Sequence, residues 1–217
     1  MAVLGKEAII MKKRILSLLI VLSLCLAALG APVLAAAYSD VPASGELRTA
    51  VDFVTSRGLM DGTGSGKFSP DGTLSRAMLA AVLWRLEGKP AVDYAMTCPD
   101  VAEGAWYTEA VRWAASEGLV RGYPDGTLGP ERTLTREQSA VILYRYAAKK
   151  GYDTSAAMGT AGYEDIMTVS SYARDAVTWA GGAGILKGFG SKLLPCAAET
   201  RGAEAQSIAW FCGLFVK

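Results

Sequence analysis

The sequence predicts an all-α fold in which three helix–loop–helix repeats pack around one axis. Three observations support this prediction. Characteristic residues recur at offsets of 60 to 66 positions, each copy carries the signals that begin and end two helices, and the second helix of each copy is too apolar to be stable alone. The 180 residues that follow position 37 are enough for one domain with a substantial core.

The spacing of these residues defines the repeats. The first two copies are related by an offset of 60, and the last two by offsets of 65 or 66. The equivalent positions are Asp40, Asp100 and Asp165; Phe53, Trp113 and Trp179; Gly58, Gly118 and Gly184; Gly62, Gly122 and Gly188; Pro70, Pro130 and Pro195; and Arg76, Arg136 and Arg201. We therefore divide the chain into residues 1–37, repeat 1 at 38–90, repeat 2 at 91–151 and repeat 3 at 152–217.

The first helix of a repeat is clearest in repeat 2. In WYTEAVRWAASEGLV, Ala110 and Trp113 fall on neighbouring helical turns, and Gly118 supplies the left-handed residue that commonly closes a helix. The aromatic residue recurs as Phe53 and Trp179, so this position is predicted to lie in the core. The loop that follows contains YPDG, a turn sequence.

The second helix begins at a capping motif. In TREQSAVILYRYAAKK, Thr135 followed by Gln138 predicts a capping box, and the apolar middle predicts burial on most sides. Packing three such helices around one axis would bury all of them. Repeat 3 reads TRGAE, where we interpret Gly202 as a one-residue insertion that displaces the cap and aligns Trp210 with Tyr144.

Residues 1–37 predict secretion. A basic start, a short apolar run and small residues near positions 35–37 form a secretory signal peptide, with Met11 as the true start. A retained membrane anchor is the alternative, which the short apolar run disfavours, and Leu24 disfavours lipid attachment at Cys25. We expect a secreted protein with no stable membrane span after signal cleavage.

Composition excludes several classes of function. The first 37 residues hold four of the 22 basic residues and one of the 21 acidic ones, which leaves 18 basic and 20 acidic residues and a net charge near −2. This balance creates no field that would attract nucleic acid. The chain has no histidine, which removes Ser-His and Cys-His catalysis and histidine-ligated zinc. We predict no metal and no cofactor.

The cysteines leave their redox state open. Cys98, Cys196 and Cys212 follow position 37, and their spacing matches no metal site. One disulfide with a free thiol and three free thiols are both compatible with the sequence.

The repeats resemble a known family. The stretch DVAEGAWYTEAVRWAASEGLVRGYPDGTLGPERTLTREQSAVILYRYA is similar to the S-layer homology repeat. It has an aspartate near its start, a tryptophan before the first helix, GYPDGT in the loop and a TRAE-like motif at the second helix. The resemblance extends over about residues 38–217, and three tandem copies are usual in that family. It implies a pseudo-threefold, three-pronged helical bundle on the bacterial cell surface, which holds secondary cell-wall polysaccharide non-covalently, commonly through a pyruvate ketal on an amino sugar.

The resemblance also implies a binding site. Arg76, Arg136 and Arg201 each open a second helix, although positive charge opposes the helix dipole there. A pyruvate ketal carries a carboxylate, which free N–H groups at a helix start and a guanidinium fork would both bind. The resemblance places the ligand in grooves between repeats. The alternative is that these arginines pair with the aspartates at the repeat starts and hold the units together.

Two further sets of recurring residues are predicted to belong to the site. The glycines, where backbone would approach the sugar, are Gly62, Gly122 and Gly188. The aspartates, which would bond sugar hydroxyls or orient the arginines, are Asp40, Asp100 and Asp165. Trp106 would stack on a sugar face, and Glu46 and Tyr172 occupy this position in repeats 1 and 3.

The repeats differ in how well they keep the motifs. Repeat 1 has Met78 where a capping box carries Glu or Gln, and the loop of repeat 3 has lost PDGT. We therefore rank Arg136 first as a ligand-binding residue, Arg76 second and Arg201 last. A triplet with one working groove is consistent with these differences.

The predicted function is non-covalent anchoring of a secreted protein to the bacterial cell wall. The predicted partner is pyruvylated secondary cell-wall polysaccharide or a peptidoglycan-linked glycan. A surface protein–protein assembly module is the first alternative. The second is a wall-active glycosidase, for which Glu103, Glu109 and Glu117 are candidates only by default, and we predict that the chain is not an enzyme. The repeats account for the chain after residue 37, so the sequence identifies no cargo.

Overall fold

The computed structural model describes residues 38–93, 98–157 and 162–216, and the predicted signal peptide lies outside these ranges. The six α-helices are α1 (Glu46–Ser56), α2 (Arg76–Leu86), α3 (Thr108–Ser116), α4 (Arg136–Lys149), α5 (Arg174–Gly182) and α6 (Arg201–Phe215). Two short 3-10 helices, Ile166–Thr168 and Ser171–Ala173, precede α5. Within the described ranges there is no β-sheet, so the predicted all-α fold is confirmed. None of these helices has the length and apolar character that a membrane span needs.

The predicted helix signals of repeat 2 are confirmed. The Thr135 hydroxyl accepts a hydrogen bond from Gln138 N, and the Gln138 side chain accepts one from Thr135 N, which completes the capping box of α4. After α3, Gly118 adopts a φ of 71°, the left-handed conformation that glycine favours. Leu119 N then donates to Ala114 O in the last turn. Local sequence therefore fixes where these helices begin and end.

The interpretation of Gly202 as an insertion is wrong. The Thr200 hydroxyl accepts a hydrogen bond from Ala203 N, so the cap of α6 has the same spacing as the cap of α4. Gly202 N donates to Pro70 O, and the equivalent residues of the other repeats make the same contact: Ala77 N with Pro130 O and Glu137 N with Pro195 O. The register is therefore continuous. Trp210 occupies the position of Arg85 and Arg145, not that of Tyr144.

The helices pair across repeats. The closely packed pairs are α2 with α3, α4 with α5, and α6 with α1. In each pair the second helix of one repeat lies against the first helix of the next, and α6 closes the ring on α1. The second helices also contact one another: the Ser139 hydroxyl of α4 donates to Glu204 of α6, and the rings of Tyr146 and Phe211 lie 5.6 Å apart. Each second helix is therefore covered both by a first helix and by its neighbours around the axis.

The recurring aromatic position is only partly a core position. Trp113 and Trp179 are buried, as predicted. Phe53 is partly buried, and the guanidinium of Arg57 lies 4.2 Å from its ring centre. The core prediction is therefore wrong for repeat 1, where this side chain reaches the surface between α1 and α6.

The described cysteines all carry free thiols. Cys98 is partly buried, Cys196 is exposed and Cys212 is buried. Of the two arrangements that the sequence leaves open, the structure has three thiols.

The second helices approach one another where they begin. Just before each helix, one residue donates its N–H to a neighbouring repeat: Leu134 N to Leu74 O, Leu74 N to Glu199 O, and Glu199 N to Leu134 O, each at 2.8 Å. These three bonds form a closed ring about the pseudo-threefold axis. Leu74 and Leu134 are fully buried there. The ring requires all three repeats.

Repeat 3 brings two carboxyl groups into this axial region. Glu199 replaces the leucines of the other repeats, and Glu204 lies one turn into α6; both are buried. The Ser139 hydroxyl donates to Glu204 Oε2 at 2.6 Å, whereas Glu204 Oε1 has no hydrogen-bond partner among the described residues. Burial, together with the charge of Glu199, raises the pKa of Glu204 to about 8. Burial also raises the pKa of Glu199.

Ring closure predicts that two repeats do not form a stable domain. A chain that ends at residue 151 is expected to lose cooperative unfolding, because α1 and α4 would each lose the helix that covers them and the hydrogen-bonded ring would open. Urea unfolding of residues 38–151 and 38–217, followed by circular dichroism, measures this. A cooperative transition in the shorter chain would contradict the role of closure.

The axial carboxyl groups predict that the protein is less stable at alkaline pH. A pKa raised from 4.5 to about 8 means that the folded chain binds the Glu204 proton more tightly than the unfolded chain. The free energy of unfolding should therefore be highest below the ordinary pKa and fall as the pH rises towards 8, by at most about 1.4 kcal/mol per pH unit for one group.

Urea unfolding at several pH values between 4.5 and 8.5 checks this prediction. Glu204→Gln should flatten the dependence and stabilise the protein above pH 8, whereas Glu131→Gln in an exposed loop should leave the profile unchanged. A profile that Glu204→Gln does not alter would show that the buried carboxyl does not control stability.

Candidate functional site

The first-turn arginines bind the loop of the following repeat. Arg76 Nε donates to Leu128 O at 2.9 Å, and Arg76 Nη2 donates to Arg121 O at 2.8 Å. The other two arginines follow the same pattern: Arg136 donates to Leu193 O and Lys187 O, and Arg201 to Phe68 O and Asp61 O. Only 4–8% of each arginine is exposed. Each guanidinium is therefore a link between consecutive repeats, and Arg201 links the third repeat to the first.

The repeat-start aspartates hold the same loops through the opposite backbone groups. Asp100 accepts hydrogen bonds from Leu128 N at 2.9 Å and Gly129 N at 2.7 Å. The other two aspartates do the same: Asp40 accepts from Phe68 N and Ser69 N, and Asp165 from Leu193 N and Leu194 N. Leu128 thus donates its N–H to Asp100 while its carbonyl accepts from Arg76. The alternative of a direct arginine–aspartate ion pair is wrong, because a shared loop residue lies between them.

These hydrogen bonds explain the acidity of the aspartates. The Phe68 N–H lowers the pKa of Asp40, and the Leu193 N–H lowers that of Asp165. Partial burial raises the pKa of Asp100, but the N–H groups of its loop outweigh burial and the pKa is lowered. All three carboxylates are therefore ionised at neutral pH and are occupied by backbone donors.

The predicted free N–H groups at the helix starts are not available. Arg76 N donates to Arg132 O, Ala77 N donates to Pro130 O, and Met78 N donates to the Ser75 hydroxyl. The starts of α4 and α6 are paired in the same way. The expectation that these helix N-termini offer backbone donors to an anion is wrong, because loops of the neighbouring repeat already accept them.

Three grooves lie between the repeats. Groove 1 lies over α2 and is lined by Arg201, groove 2 lies over α4 and is lined by Arg76, and groove 3 lies over α6 and is lined by Arg136. Their volumes are about 230, 240 and 180 Å³. Each arginine thus borders the groove of the repeat that follows its own. This is the inter-repeat position that the resemblance implies, although most of each guanidinium is used by the loop.

Groove 2 concentrates positive charge. Among the described residues, its lining contains Arg76, Arg121 and Arg145, with Tyr123 and Tyr172, and no acidic side chain. Burial lowers the pKa of Arg76, and burial followed by the charges of Arg121 and Arg76 lowers that of Arg145. Arg121 is exposed. An anion in groove 2 would therefore relieve the repulsion among three guanidinium groups.

One nitrogen of Arg76 remains for a ligand. Nε and Nη2 donate to loop carbonyls, whereas Nη1 has no hydrogen-bond partner among the described residues and is not sealed from solvent. The Arg76 guanidinium lies 5.1 Å from the ring centre of Tyr123, which holds it in place from the groove side.

Groove 1 is less positive and carries an exposed indole. Arg85 Nη2 lies 3.0 Å from Asp61 Oδ2, so Arg201 is the one cation of the described lining that no lining carboxylate neutralises. Trp106 from repeat 2 lines this groove and is 61% exposed. The exposed ring is compatible with the sugar stacking that was predicted for it, and that contact stays a prediction.

Groove 3 differs because each of its cations faces a carboxylate. Arg136 Nη1 lies 3.8 Å from Glu199 Oε2, and Lys187 Nζ lies 3.1 Å from Glu46 Oε2. Glu46 occupies the sequence position of Trp106 and Tyr172. Groove 3 therefore has little net charge to offer an acidic ligand.

The recurring glycines are required by the loops themselves. A Cβ at Gly62 would lie 2.8 Å from Lys67 O, and one at Gly122 would lie 3.0 Å from Thr127 O; Gly188 meets the equivalent carbonyl of Lys192. Backbone approach to a sugar is therefore not needed to explain these glycines. Gly62 and Gly188 also line grooves 1 and 3, so their ligand contact stays a prediction.

The default carboxylate candidates for catalysis lie in surface ion pairs. Glu103 and Glu109 are 3.6 and 3.2 Å from Arg112, and Glu117 is 2.6 Å from Lys149. None of the three lines grooves 1 to 3. Each carboxylate thus has a structural partner.

Sequence reasoning missed Arg121 and Arg145. A signal for Arg145 was present, since Arg85 and Arg145 both follow a first-turn arginine by nine residues. Arg121 had no such signal, because the equivalent residues are Asp61 and Lys187. Only the fold brings Arg121 beside Arg76 from another repeat.

Comparison with known proteins identifies two segments. Residues 37–78 and 99–140 match the family model of the S-layer homology domain. These matches fall in repeats 1 and 2 and end within α2 and α4. The assignment of repeat 3 to the same family stays a prediction, although its helices occupy equivalent positions in the fold.

Several curated proteins are similar to the chain. A cellulosome-anchoring protein of Acetivibrio thermocellus is 27% identical over 118 residues, which is 52% of this chain and 25% of that protein. A surface layer protein of Brevibacillus choshinensis is 30% identical over 159 residues, 70% of this chain and 14% of that protein. An amylopullulanase of Thermoanaerobacterium thermosulfurigenes is 26% identical over 161 residues, 74% of this chain and 8% of that protein. The chain thus spans a quarter or less of the length of these relatives.

The loop contacts predict that a first-turn arginine contributes to stability. Arg76→Ala is expected to lower the free energy of unfolding by about 2–4 kcal/mol, because two carbonyls lose a charged donor. Arg121→Ala, which removes an exposed guanidinium from the same groove, should change it by less than about 0.5 kcal/mol. Urea unfolding measures both, and equal stabilities for the two variants would contradict this role for Arg76.

Proposed function

We propose that this chain is held at the bacterial cell wall by binding secondary cell-wall polysaccharide, and that groove 2 binds an acidic sugar of that polymer. The observation that carries the proposal is the lining of groove 2, where three guanidinium groups meet without an acidic side chain. The similarity of repeats 1 and 2 to S-layer homology domains, and of the chain to anchoring and surface-layer proteins, supports a role at the wall.

The chemistry of groove 2 favours a carboxylate on a sugar. A pyruvate ketal presents one carboxylate, and a guanidinium binds a carboxylate through paired, charge-assisted hydrogen bonds. Arg121 is exposed and Arg76 keeps Nη1 accessible, so both have donors for such a group. Tyr172 and Gln138 add hydroxyl and amide groups for sugar hydroxyls. The side chains thus supply a charged centre and a polar surround, as an acidic sugar requires.

The order of the grooves follows from their charge. As binding sites for an acidic sugar, we rank groove 2, lined by Arg76, first, groove 1, lined by Arg201, second, and groove 3, lined by Arg136, last. The sequence ranking put Arg136 first because its own repeat keeps the motifs best. Each arginine serves the groove of the next repeat, however, and Arg136 faces Glu199. Trp106 would stack on a sugar in groove 1.

The test of groove 2 is wall binding by a variant that leaves the fold intact. Arg121→Ala should weaken binding to walls that carry the ketal about tenfold, which corresponds to about 1.4 kcal/mol, because one charged contact is lost. Arg121→Glu should weaken it further through repulsion of the carboxylate. Co-sedimentation of the secreted chain with purified walls measures the affinity.

Two controls make the result specific. Arg174→Ala removes another exposed arginine, at the start of α5 and outside the three grooves, and should bind as the unchanged protein does. Walls from which mild acid has removed the ketal should bind the unchanged protein as weakly as intact walls bind Arg121→Glu. Undiminished binding to ketal-free walls would refute the carboxylate mechanism, and full binding by Arg121→Glu would refute groove 2.

A further inference from the structure

The region beside groove 3 has a chemistry that the other two grooves lack. A surface cavity of about 380 Å³ lies between α1 and α6, next to groove 3, and we call it the Trp210 face. It is lined by Glu46, Thr49, Ala50, Phe53, Lys187, Gln206, Ala209 and Trp210. Lys187 and Gln206 also line groove 3, so the two surfaces are continuous.

Positive charge in this region is neutralised within the protein. Arg136 lies 3.8 Å from the buried Glu199, which occupies the position of Leu134 beside Arg76 and of Leu74 beside Arg201. Lys187 pairs at 3.1 Å with Glu46. The two substitutions that introduce these acids, in repeats 3 and 1, converge on one groove. An acidic ligand would therefore gain little from this surface.

An aromatic ring replaces a guanidinium here. Trp210 stands where repeats 1 and 2 have Arg85 and Arg145, and 48% of it is exposed. Its Nε1–H donates to Ala183 O at 2.8 Å. The ring also lies against Gly184, where a Cβ would come within 3.1 Å of the indole nitrogen. The exposed ring is thus held in one orientation and does not hang free in solvent.

The surroundings of this ring combine apolar and polar groups. Phe53, Ala50 and Ala209 extend the apolar floor. Thr49, Gln206 and Glu46 form a polar rim. Lys187, which pairs with Glu46, lies over part of the Trp210 ring, with its Nζ 5.3 Å from the ring centre. An apolar peptide would have to desolvate that ion pair, which is costly. A sugar ring has an apolar face for the indole and hydroxyl groups for the rim.

We infer that the Trp210 face is a second glycan site, which binds an uncharged sugar by stacking it on Trp210 while Gln206 and the Lys187–Glu46 pair bind its hydroxyl groups. The site is separate from groove 2, and it would stand if groove 2 bound nothing. Repeat 3 and repeat 1 together have exchanged recognition of a carboxylate for recognition of a neutral sugar face.

Two probes separate this site from groove 2. The uncharged probe is wall polysaccharide from which mild acid has removed the ketal, and the acidic probe is a methyl glycoside of a pyruvylated amino sugar. Calorimetric titration should show Trp210→Ala binding the uncharged probe at least tenfold more weakly, with less than a twofold change for the acidic probe. Trp210→Phe, which keeps a ring, should retain most of the affinity. Arg121→Ala should weaken only the acidic probe.

A control variant and two further measurements distinguish loss of binding from loss of folding. Leu214→Ala removes an exposed apolar side chain from the same helix, outside this face, and should bind both probes normally. Gln206→Ala should weaken the uncharged probe several-fold with an unchanged melting temperature, which tests the rim without disturbing the indole. The indole N–H resonance of Trp210 is identified by its absence from the spectrum of Trp210→Phe. In nuclear magnetic resonance titrations of the unchanged protein, the uncharged probe should shift this resonance.

Three results would overturn the inference. The first is that the uncharged probe shows no saturable binding at millimolar concentration. The second is that Trp210→Ala and Gln206→Ala both bind this probe as the unchanged protein does. The third is that the protein forms a concentration-dependent dimer in sedimentation, which Trp210→Ala abolishes. The last result would assign the face to contact between two copies of the chain. Failure of the acidic probe alone would refute the groove 2 proposal and leave this one standing.

Discussion

The architecture depends on one loop residue in each repeat whose backbone N–H and C=O groups are both hydrogen-bonded to charged side chains. Leu128 donates its N–H to Asp100 of its own repeat, and its carbonyl accepts from Arg76 of the preceding repeat. Phe68 and Leu193 are held in the same way. Each first-turn arginine donates to a loop carbonyl of the following repeat, and Arg201 of repeat 3 donates to the loop of repeat 1. The contacts therefore form a closed cycle. The cycle explains why a first-turn arginine is kept against the helix dipole: its partner is a loop carbonyl of the neighbouring repeat.

The same contacts shape the grooves. The arginine that fastens a loop also lines the groove beside that loop. The charge of each groove is then set by neighbouring side chains that take no part in the linkage. Residues 61, 121 and 187 are Asp, Arg and Lys, and residues 85, 145 and 210 are Arg, Arg and Trp. Variation at these positions gives the three inter-repeat surfaces different charges.

Repeat 3 departs furthest from the common pattern, and its changes are connected. Glu199 places a carboxyl group where the other repeats have buried leucines, and burial together with the charge of Glu199 raises the pKa of the nearby Glu204. The neighbouring Arg136 is partly neutralised by this acid. A substitution in the core therefore alters the charge of a surface groove, because the arginine that lines the groove is also part of the axial packing.

The sequence by itself determined the all-α class and the helix ends of repeat 2. These depend on local rules, such as the capping box at Thr135 and the left-handed glycine at position 118, which act within a few residues of chain. It also located the three arginines, but not what they bind. The partners of Arg76 lie 45 and 52 residues away in another repeat, so only the tertiary structure could assign them. The position of Arg121 beside Arg76, the pairing of α6 with α1 and the register of Trp210 were not predicted for the same reason. Each depends on contacts between repeats, which the spacing of residues along the sequence does not encode.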